Sequence, residues 1–240
     1  MVSKDLPRTP AVEDYTKAIF SLESRSDQPV STNALAERLG ITPGSVSAML
    51  KRLDELELIT HVPYRGVHLT DDGRRIALEV IRHHRLLESY LADALGMPWD
   101  RVHDEAEVLE HVISEDLEAL IADKLGHPTV DPHGDPIPTA ELELVERSTD
   151  RMESLQPGDR ARFVRVSDSD PEMLRYLAER GISPGDRFTV RDRQPFGGPL
   201  FVAFGEHEHA IGGQLAGAMR VEVERSPGQD GADRGEGPSG

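Results

Sequence analysis

The stretch Trp99–Glu118 constrains more strongly than any other what this chain can fold into. Its apolar residues recur at spacings of three and four, which is the pattern of a helix with one apolar face. We therefore expect a single helix here, capped by Asp100, with Gly126 ending the helical region that follows. A helix turns by about 100° per residue, so one edge of it should collect two imidazoles and two carboxylates: His103, Glu107, Glu110 and His111.

This edge has two interpretations. Like charges three residues apart repel each other on a bare helix, and a bound divalent cation would remove that repulsion. Glu-rich helix faces are, however, more often simply solvated. The metal hypothesis gains support from the preceding helix, which carries His84 and Glu88 four residues apart. A short turn at 96–98 would join the two helices as a hairpin whose polar edges can face each other.

The N-terminal third predicts a DNA-binding unit. Its pattern indicates a helix over 10–24, a short helix over 33–39 and a third helix over 44–56 that Thr-Pro opens. Alternating residues over 58–70 then indicate a two-stranded hairpin, followed by a long helix over 71–95. The hairpin favours a winged helix-turn-helix over an ordinary three-helix cluster.

In such a unit the third helix would be the recognition helix. Its first turn offers small hydroxyls and free N–H groups, which allow close approach to a phosphate. No long side chain is placed to read guanine bidentately, so the target bases are not predictable. The candidate DNA contacts are Thr42, Ser45, Ser47, Lys51, Arg52 and Arg65.

The C-terminal half changes character twice. Residues 126–152 are rich in Pro, Gly and His and predict an irregular connector, in which His133 is expected to be solvated rather than a ligand. Short alternating segments with two PGD turns then frame a helix over 171–180, which predicts a small SH3-like β-barrel. The fold class is therefore α+β, with domains at 1–75, 76–152 and 153–225 and a disordered tail at 226–240.

Composition narrows the function classes. The chain has no cysteine, which excludes thiolate metal sites and fits the cytoplasm, and it shows neither a membrane span nor a signal peptide. Net charge is −17, yet residues 1–75 carry 10 Lys/Arg against 11 Asp/Glu, whereas residues 76–152 carry 6 against 18. Any DNA contact must therefore lie in the balanced N-terminal part. No HExxH motif or separate general base accompanies the metal candidates, so we do not expect an enzyme.

A winged helix, a His/Glu helical hairpin and a small SH3-like barrel in this order resemble the diphtheria toxin repressor family. The resemblance covers about residues 5–225, and it is carried by VEDYTKAIF, RLGITPGSVSAMLKRL, YRGVHLTDDG, RHHRLLESYL, VHDEAEVLEH and DPHGDPIP. It implies a homodimeric repressor that binds palindromic double-stranded DNA and controls metal homeostasis genes, with an SH3-like domain of the FeoA type. A winged-helix regulator that does not sense metal is the alternative.

The resemblance also implies a regulatory metal site at Asp14, Glu107, Glu110 and His111. Iron-sensing members have Met and Cys at the first two of these positions, so the two carboxylates here resemble the manganese-sensing branch. Mn(II) prefers hard oxygen ligands, which makes Mn(II) the expected cofactor, Fe(II) the alternative, and Zn(II) or Co(II) substitutes in vitro. Short manganese sensors have a glutamate where this chain has Lys17, which calls their binuclear arrangement into question here.

Longer members of the family have an ancillary site, which the resemblance places at His84, Glu88 and His103 with a contribution from the barrel. The barrel candidates are Asp168, Asp170 and Glu172, for which a helix-capping cluster is the competing interpretation.

A mechanism follows as a hypothesis. Without metal the carboxylates would repel, and the first helix would have no fixed partner. A cation would tie that helix to the hairpin and set two recognition helices about 34 Å apart. The dimer interface would use the apolar face of the hairpin, including Leu109, Val112 and Ile113.

Overall fold

The computed structural model describes residues 9–24, 26, 28–145 and 147–224, so the predicted tail at 226–240 lies outside the described residues. These residues form two compact units. The first comprises the described residues up to Asp131 together with Pro136–Val145, and the second comprises Pro132–Asp135 and the described residues beyond Val145. None of the described helices combines the length and apolar character that crossing a membrane requires.

The first unit begins with the predicted winged helix-turn-helix. Its elements are α1 (Pro10–Glu23), α2 (Thr32–Leu39), α3 (Pro43–Glu55), β1 (Ile59–Val62) and β2 (Gly66–Leu69). Each helix starts at a Ser or Thr whose side chain accepts a backbone N–H of the first turn, and such a cap satisfies a donor that the helix leaves unpaired. Their apolar faces meet in one core around Val12, Ile19, Leu35, Val46 and Leu53.

Three further helices complete this unit: α4 (Asp71–Asp93), α5 (Val102–Leu109) and α6 (Glu115–Leu125). The expectation of a single helix over Trp99–Glu118 is wrong, because the chain turns between α5 and α6. Ser114 caps α6 by accepting from the Leu117 N–H at 3.3 Å, and the β-branched pair before it weakens helix continuation. Asp100 does not cap α5, which begins after Arg101 without a side-chain cap.

The turn after α5 has two consequences for the site. Glu110 becomes the C-cap residue of α5, and His111 lies beyond the helix instead of on its edge. Apolar side chains near the turn are left exposed in this chain, namely Val108, Leu109, Val112, Leu117 and Leu120. Ile113, by contrast, packs against the core between α4 and α6.

The second unit contains β3 (Asp150–Arg151), a 3-10 turn (Met152–Ser154), β4 (Arg160–Val166), α7 (Pro171–Ala178), β5 (Arg187–Arg193), β6 (Leu200–Phe204), β7 (His207–Ile211), α8 (Gly213–Ala218) and β8 (Met219–Val223). Its strands form an antiparallel six-stranded sheet in the order β3-β8-β4-β5-β6-β7, as expected of a small SH3-like domain. Four of these elements were not predicted: β3, the 3-10 turn, β7 and α8.

The connector is more ordered than its composition predicts. Within the second unit His133 is buried and its carbonyl accepts the Val166 N–H at 3.0 Å, so the expectation of a solvated loop histidine is wrong. Gly134 has φ +89°, and a Cβ there would overlap the Val164 carbonyl oxygen. Glycine therefore permits this close approach, which sequence reasoning had no means to foresee.

Candidate metal centre

Three elements of the first unit place the metal candidates. Helix α1 buries Tyr15 and Ile19 and leaves the neighbouring positions Asp14 and Lys17 half-buried at its edge. That helix packs against α4, and α4 packs against α5. Side chains from α1, the middle of α4 and the C-terminal end of α5 therefore converge in one region of the unit.

One group of potential ligands combines Asp14, Glu110 and His111, whose ligand atoms all lie within 4.8 Å of one another. His111 Nε2 is 3.1 Å from Asp14 Oδ1 and 3.7 Å from Glu110 Oε1. The Glu110 side chain is fully buried. A buried carboxylate needs compensation by charge or hydrogen bonds, so its place beside a second carboxylate is suited to a cation.

Glu13 supports this group and was missed by the sequence reasoning. Its Oε2 lies 2.6 Å from His111 Nδ1, on the opposite side of the ring from Asp14. A neutral imidazole that donates its Nδ1 proton to Glu13 presents the Nε2 lone pair towards Asp14 and Glu110. Such a carboxylate partner fixes the tautomer and the orientation of a metal-binding histidine. The only sequence signal was its position next to Asp14.

Glu107 lies outside that group, and its part in the predicted regulatory site stays a prediction. Glu107 instead shares a second group with His84 and Glu110, again with ligand atoms within 4.8 Å of one another. The Lys17 ammonium lies within this second group. Its Nζ is 2.7 Å from Glu107 Oε1, 2.7 Å from Glu110 Oε2 and 3.3 Å from His84 Nδ1.

Two side chains of α1 pair directly with residues at the end of α5. Lys17 pairs α1 with Glu107 and Glu110, while Glu13 pairs it with His111. The expected repulsion among carboxylates is reduced because an ammonium lies between two of them.

The predicted ancillary residues of the first unit also come together. His84 Nε2 is 3.1 Å from both Glu88 Oε1 and His103 Nδ1, and His103 Nδ1 is 3.4 Å from Glu88 Oε1. Both His84 and Glu88 are buried. Two imidazoles around a buried carboxylate form a donor set of the borderline kind that transition metals prefer.

The barrel candidates belong to the second unit. Asp170 caps α7 by accepting the Glu172 N–H at 3.0 Å, which is the competing role considered for this cluster. Glu172 lies in the first turn of α7, and Asp168 lies in the loop before it. Their part in the ancillary site stays a prediction from sequence.

Electrostatics distinguish the two sides of Glu110. Burial raises the pKa of Asp14, and the nearby Glu110 and Glu107 raise it further against the lowering effect of His111. For Glu107, burial acts in the same upward direction, but the Lys17 ammonium outweighs it and lowers the pKa of that carboxyl. The Asp14 carboxyl group therefore lacks a compensating positive charge, whereas the Lys17 ammonium already compensates the charge of Glu107.

A neighbouring network on α4 joins Arg82, His83 and Glu118. Arg82 Nε donates to Glu118 Oε1 at 2.7 Å, Arg82 Nη1 donates to the Pro138 carbonyl at 2.7 Å, and His83 Nε2 lies 3.0 Å from Glu118 Oε2. Glu79, His83 and Glu115 also form a potential cation group, and a cavity of about 240 Å³ extends from them to Glu110 and His111. Sequence reasoning assigned no role to this network, because nothing in its spacing marks it.

The predicted DNA contacts are all exposed. Thr42 caps α3, Ser45 and Ser47 lie in its N-terminal half, Lys51 and Arg52 lie in its C-terminal half, and Arg65 lies in the turn of the hairpin. The hydroxyls near the helix start are locally bonded, since Thr42 Oγ1 lies 3.0 Å from Ser45 Oγ and Ser47 Oγ donates to the Pro43 carbonyl at 2.9 Å. Such bonds orient the hydroxyls without burying them.

Three family descriptions match consecutive parts of the chain. Residues 8–67 match "Iron dependent repressor, N-terminal DNA binding domain", residues 70–139 match "Iron dependent repressor, metal binding and dimerisation domain", and residues 151–223 match "FeoA domain". The first two together cover more than half of the 240 residues.

Similar proteins are known by sequence and by structure. The iron-dependent repressor IdeR of Mycobacterium tuberculosis is 33% identical over 230 residues, covering 88% of this chain and 96% of that protein. The diphtheria toxin repressor of Corynebacterium diphtheriae is 32% identical, covering 91% and 99%. A solved manganese-dependent transcriptional repressor in complex with manganese is 43% identical, with a TM-score of 0.80 and coverage of 88% and 98%. The manganese regulator SloR is 30% identical, with a TM-score of 0.71 and coverage of 90% and 100%.

Proposed function

We propose a function for this protein on the basis of its family and its ligand groups. The chain belongs to the iron-dependent repressor family, which includes the diphtheria toxin repressor. It is a metal-dependent transcriptional repressor, and we propose Mn(II) as its effector. The observation that carries the choice of metal is the ligand group Asp14, Glu110 and His111, supported by Glu13.

The chemistry of this group favours Mn(II). Two carboxylates and one imidazole offer hard oxygen and borderline nitrogen donors, and no cysteine is available anywhere in the chain. Oxygen-rich sites suit Mn(II), whereas soft sulfur ligands favour other metals. The relatives named as iron-dependent repressors keep an Fe(II) response as the second candidate, since imidazole and carboxylate also bind Fe(II).

The bound ion would couple metal supply to DNA binding. Asp14 belongs to α1 of the N-terminal DNA-binding domain, whereas Glu110 and His111 follow α5 of the metal-binding domain. An ion held by all three would fix α1 to that turn. If DNA favours the same arrangement, metal and DNA must strengthen each other's binding reciprocally. His84, Glu88 and His103 would hold a second, ancillary ion.

The same structure offers surfaces for DNA and for a second copy. The exposed hydroxyls and basic side chains of α3 and the hairpin tip suit the phosphates and groove of duplex DNA. We place the homodimer interface on the exposed apolar side chains of α5, α6 and the turn between them, namely Val108, Leu109, Val112, Leu117 and Leu120. Large apolar side chains exposed close together in the chain are typical of an interaction site.

DNA binding under metal titration tests the proposal. Duplexes would be selected from a random pool by the Mn(II)-loaded protein, and the selected duplex would then be titrated with metal-free protein as Mn(II), Fe(II) or Zn(II) is added. Salt must be fixed, because phosphate contacts make affinity steeply dependent on it. We expect tight binding only with metal, and Mn(II) effective at the lowest concentration among metals available to a cell.

Three variants sharpen this test. Asp14→Asn and Glu110→Gln should weaken the Mn(II) response by more than about 100-fold, since even outer partners of metal ligands contribute tenfold to 100-fold. Glu105→Gln removes the same charge from an exposed position of α5 and should respond as the unsubstituted protein does. Metal-independent binding by the unsubstituted protein would exclude a metal sensor, and stronger activation by Fe(II) would identify the iron-responsive alternative.

A further inference from the structure

Lys17 holds a position that a metal ion could otherwise take. The ligand atoms of His84, Glu107 and Glu110 lie within 4.8 Å of one another, as a metal site requires, and the Lys17 ammonium is 2.7–3.3 Å from all three residues. The ammonium donates to both carboxylates and lies beside the His84 ring nitrogen Nδ1. We propose that Lys17 is a built-in cation that fills this second position, so that the regulatory centre takes a single divalent ion. The inference rests on the proposed function, because it assumes that Asp14, Glu110 and His111 bind that ion.

Charge balance supports this role. Lys17 lies between Glu107 and Glu110 and hydrogen-bonds to both, and its side chain is only 19% exposed. A half-buried ammonium is retained where its partners compensate for lost hydration, as these carboxylates do. Glu110 belongs to both ligand groups. Lys17 Nζ contacts both of its oxygens, at 2.9 Å and 2.7 Å, and Oε1 also lies 3.7 Å from His111 Nε2. Each carboxylate oxygen has two lone pairs, so Glu110 can accept from Lys17 and still bind an ion beside His111.

Space excludes simultaneous occupation. Metal ligands of this kind lie about 2.0–2.2 Å from their ion, so an ion in the second position would replace the ammonium between the same oxygens. Lysine and a divalent cation also repel each other at this range. Lys17 would have to swing out along its flexible stem before a second ion could enter.

The role assigned to Lys17 has a physical consequence. The ammonium compensates the Glu107 and Glu110 charges before any metal arrives, and it links α1 to the end of α5. The metal then has to supply charge only on the Asp14 side of Glu110. A single ion per centre gives a simple saturation response, whereas two adjacent ions would bind with mutual dependence.

Metal stoichiometry tests the inference on the full-length protein. Mn(II) bound per chain would be counted by equilibrium dialysis, and low-temperature EPR would show whether two Mn(II) ions are magnetically coupled through shared carboxylates. The unsubstituted protein should show no coupled pair. Lys17→Glu, which removes the ammonium and adds an oxygen ligand, should bind one additional Mn(II) per chain and show the coupled signal.

Further variants separate charge from folding. Lys17→Gln also vacates the position and should gain the extra ion with lower affinity, so it decides the question if the glutamate variant does not fold. Lys17→Arg keeps the positive charge and should keep the original stoichiometry. Lys124→Glu reverses the charge of an exposed lysine on α6 and should change nothing.

The outcomes distinguish the inference from the proposed function. If the unsubstituted protein binds Mn(II) but neither Lys17→Glu nor Lys17→Gln gains an ion, the built-in cation is rejected and the sensor stands. A coupled pair in the unsubstituted protein also rejects it, since Lys17 would then have left its position. If the unsubstituted protein binds no Mn(II), the proposed function itself fails, and the inference fails with it.

Discussion

His83 and His84 are adjacent on α4, yet they contact different groups of charged side chains. His83 belongs to the Arg82 network, in which both Arg82 and His83 contact the carboxylate of Glu118. His84 faces Glu110 and Glu88, beside a cluster in which Lys17 compensates only part of the acidic charge. A helix turns about 100° between neighbours, so these adjacent residues of α4 face different groups. We call Arg82, His83 and Glu118 the closed network, and we call the group around Asp14, Glu110 and His111 the open region.

The difference shows how a structural network can be told from a ligand site. Both regions are buried and both contain histidine and glutamate, so residue type and burial do not separate them. What separates them is the pairing of the buried carboxylate. Glu118 is paired with the Arg82 guanidinium, whereas Asp14 lies in a place where burial and neighbouring carboxylates raise its pKa. Removing Arg82 would therefore damage stability, while removing a ligand would damage metal binding.

The largest expected effect tests the closed network. Arg82→Met should lower the free energy of unfolding of the metal-free protein by about 3–5 kcal/mol, because it leaves the Glu118 charge buried without its guanidinium partner. Urea unfolding in the presence of a chelator would measure this. The double variant Arg82→Met with Glu118→Met should recover much of the loss, since it removes both charges.

The two regions should respond independently. The number of Mn(II) ions bound by Arg82→Met should equal that of the unsubstituted protein under conditions where both are folded. A loss of bound metal from the folded variant would show that the Arg82 network contributes to the site, and the comparison between closed and open regions would then be wrong.

The sequence predicted the helices, strands and domains more completely than it predicted the contacts within the metal site. Helix start signals act locally: Ser31, Thr42 and Thr70 each accept a backbone N–H from the first turn of the helix that follows. The turn after α5 was missed, because the apolar spacing of 99–118 continues through it. Apolar periodicity indicates which face of a helix is apolar. It does not reveal a break across which the apolar residues keep the same spacing.

The site depended on contacts between distant parts of the chain. Lys17 and Glu107 are 90 residues apart, and Glu13 and His111 are 98 residues apart. The resemblance to a family identified candidate ligands, but it did not show that Glu107 faces Lys17 or that Glu13 holds His111. Side-chain pairing of this kind follows from the packing of α1, α4 and α5, which no local pattern encodes.

A smaller effect tests how the open region is supported. Glu13→Ala should weaken Mn(II) binding about tenfold to 100-fold, because His111 loses the carboxylate that orients its ring and fixes its tautomer. Isothermal titration calorimetry would measure the change. Glu13→Gln keeps a hydrogen-bond acceptor and should lose less, while Glu105→Ala on the exposed side of α5 is the matched control. Unchanged affinity in Glu13→Ala would show that His111 needs no such partner.

The smallest effect concerns the pH dependence of the closed network. Burial opposes a charge on His83, but the hydrogen bond and charge of Glu118 outweigh it and raise the pKa of that imidazole above its ordinary value of 6.5. Burial likewise opposes ionisation of Glu118, but His83 and Arg82 lower the pKa of this carboxyl below its ordinary 4.5. Glu79 and Glu115 also face His83 and favour its charged form.

The sign of the effect follows from these directions. The raised pKa of His83 stabilises the fold fully below pH 6.5, and this contribution is lost as pH rises through the folded-state value. The lowered pKa of Glu118 stabilises the fold above pH 4.5 and is lost as pH falls through its folded-state value. His83→Gln should therefore cost on the order of 1 kcal/mol at about pH 5.5 and less at about pH 8. Chelator-treated protein unfolded in urea at both pH values would show this, with His127→Gln as an exposed control. An equal cost at both pH values would mean that His83 is not charged in the fold, and the closed network would then rest on Arg82 alone.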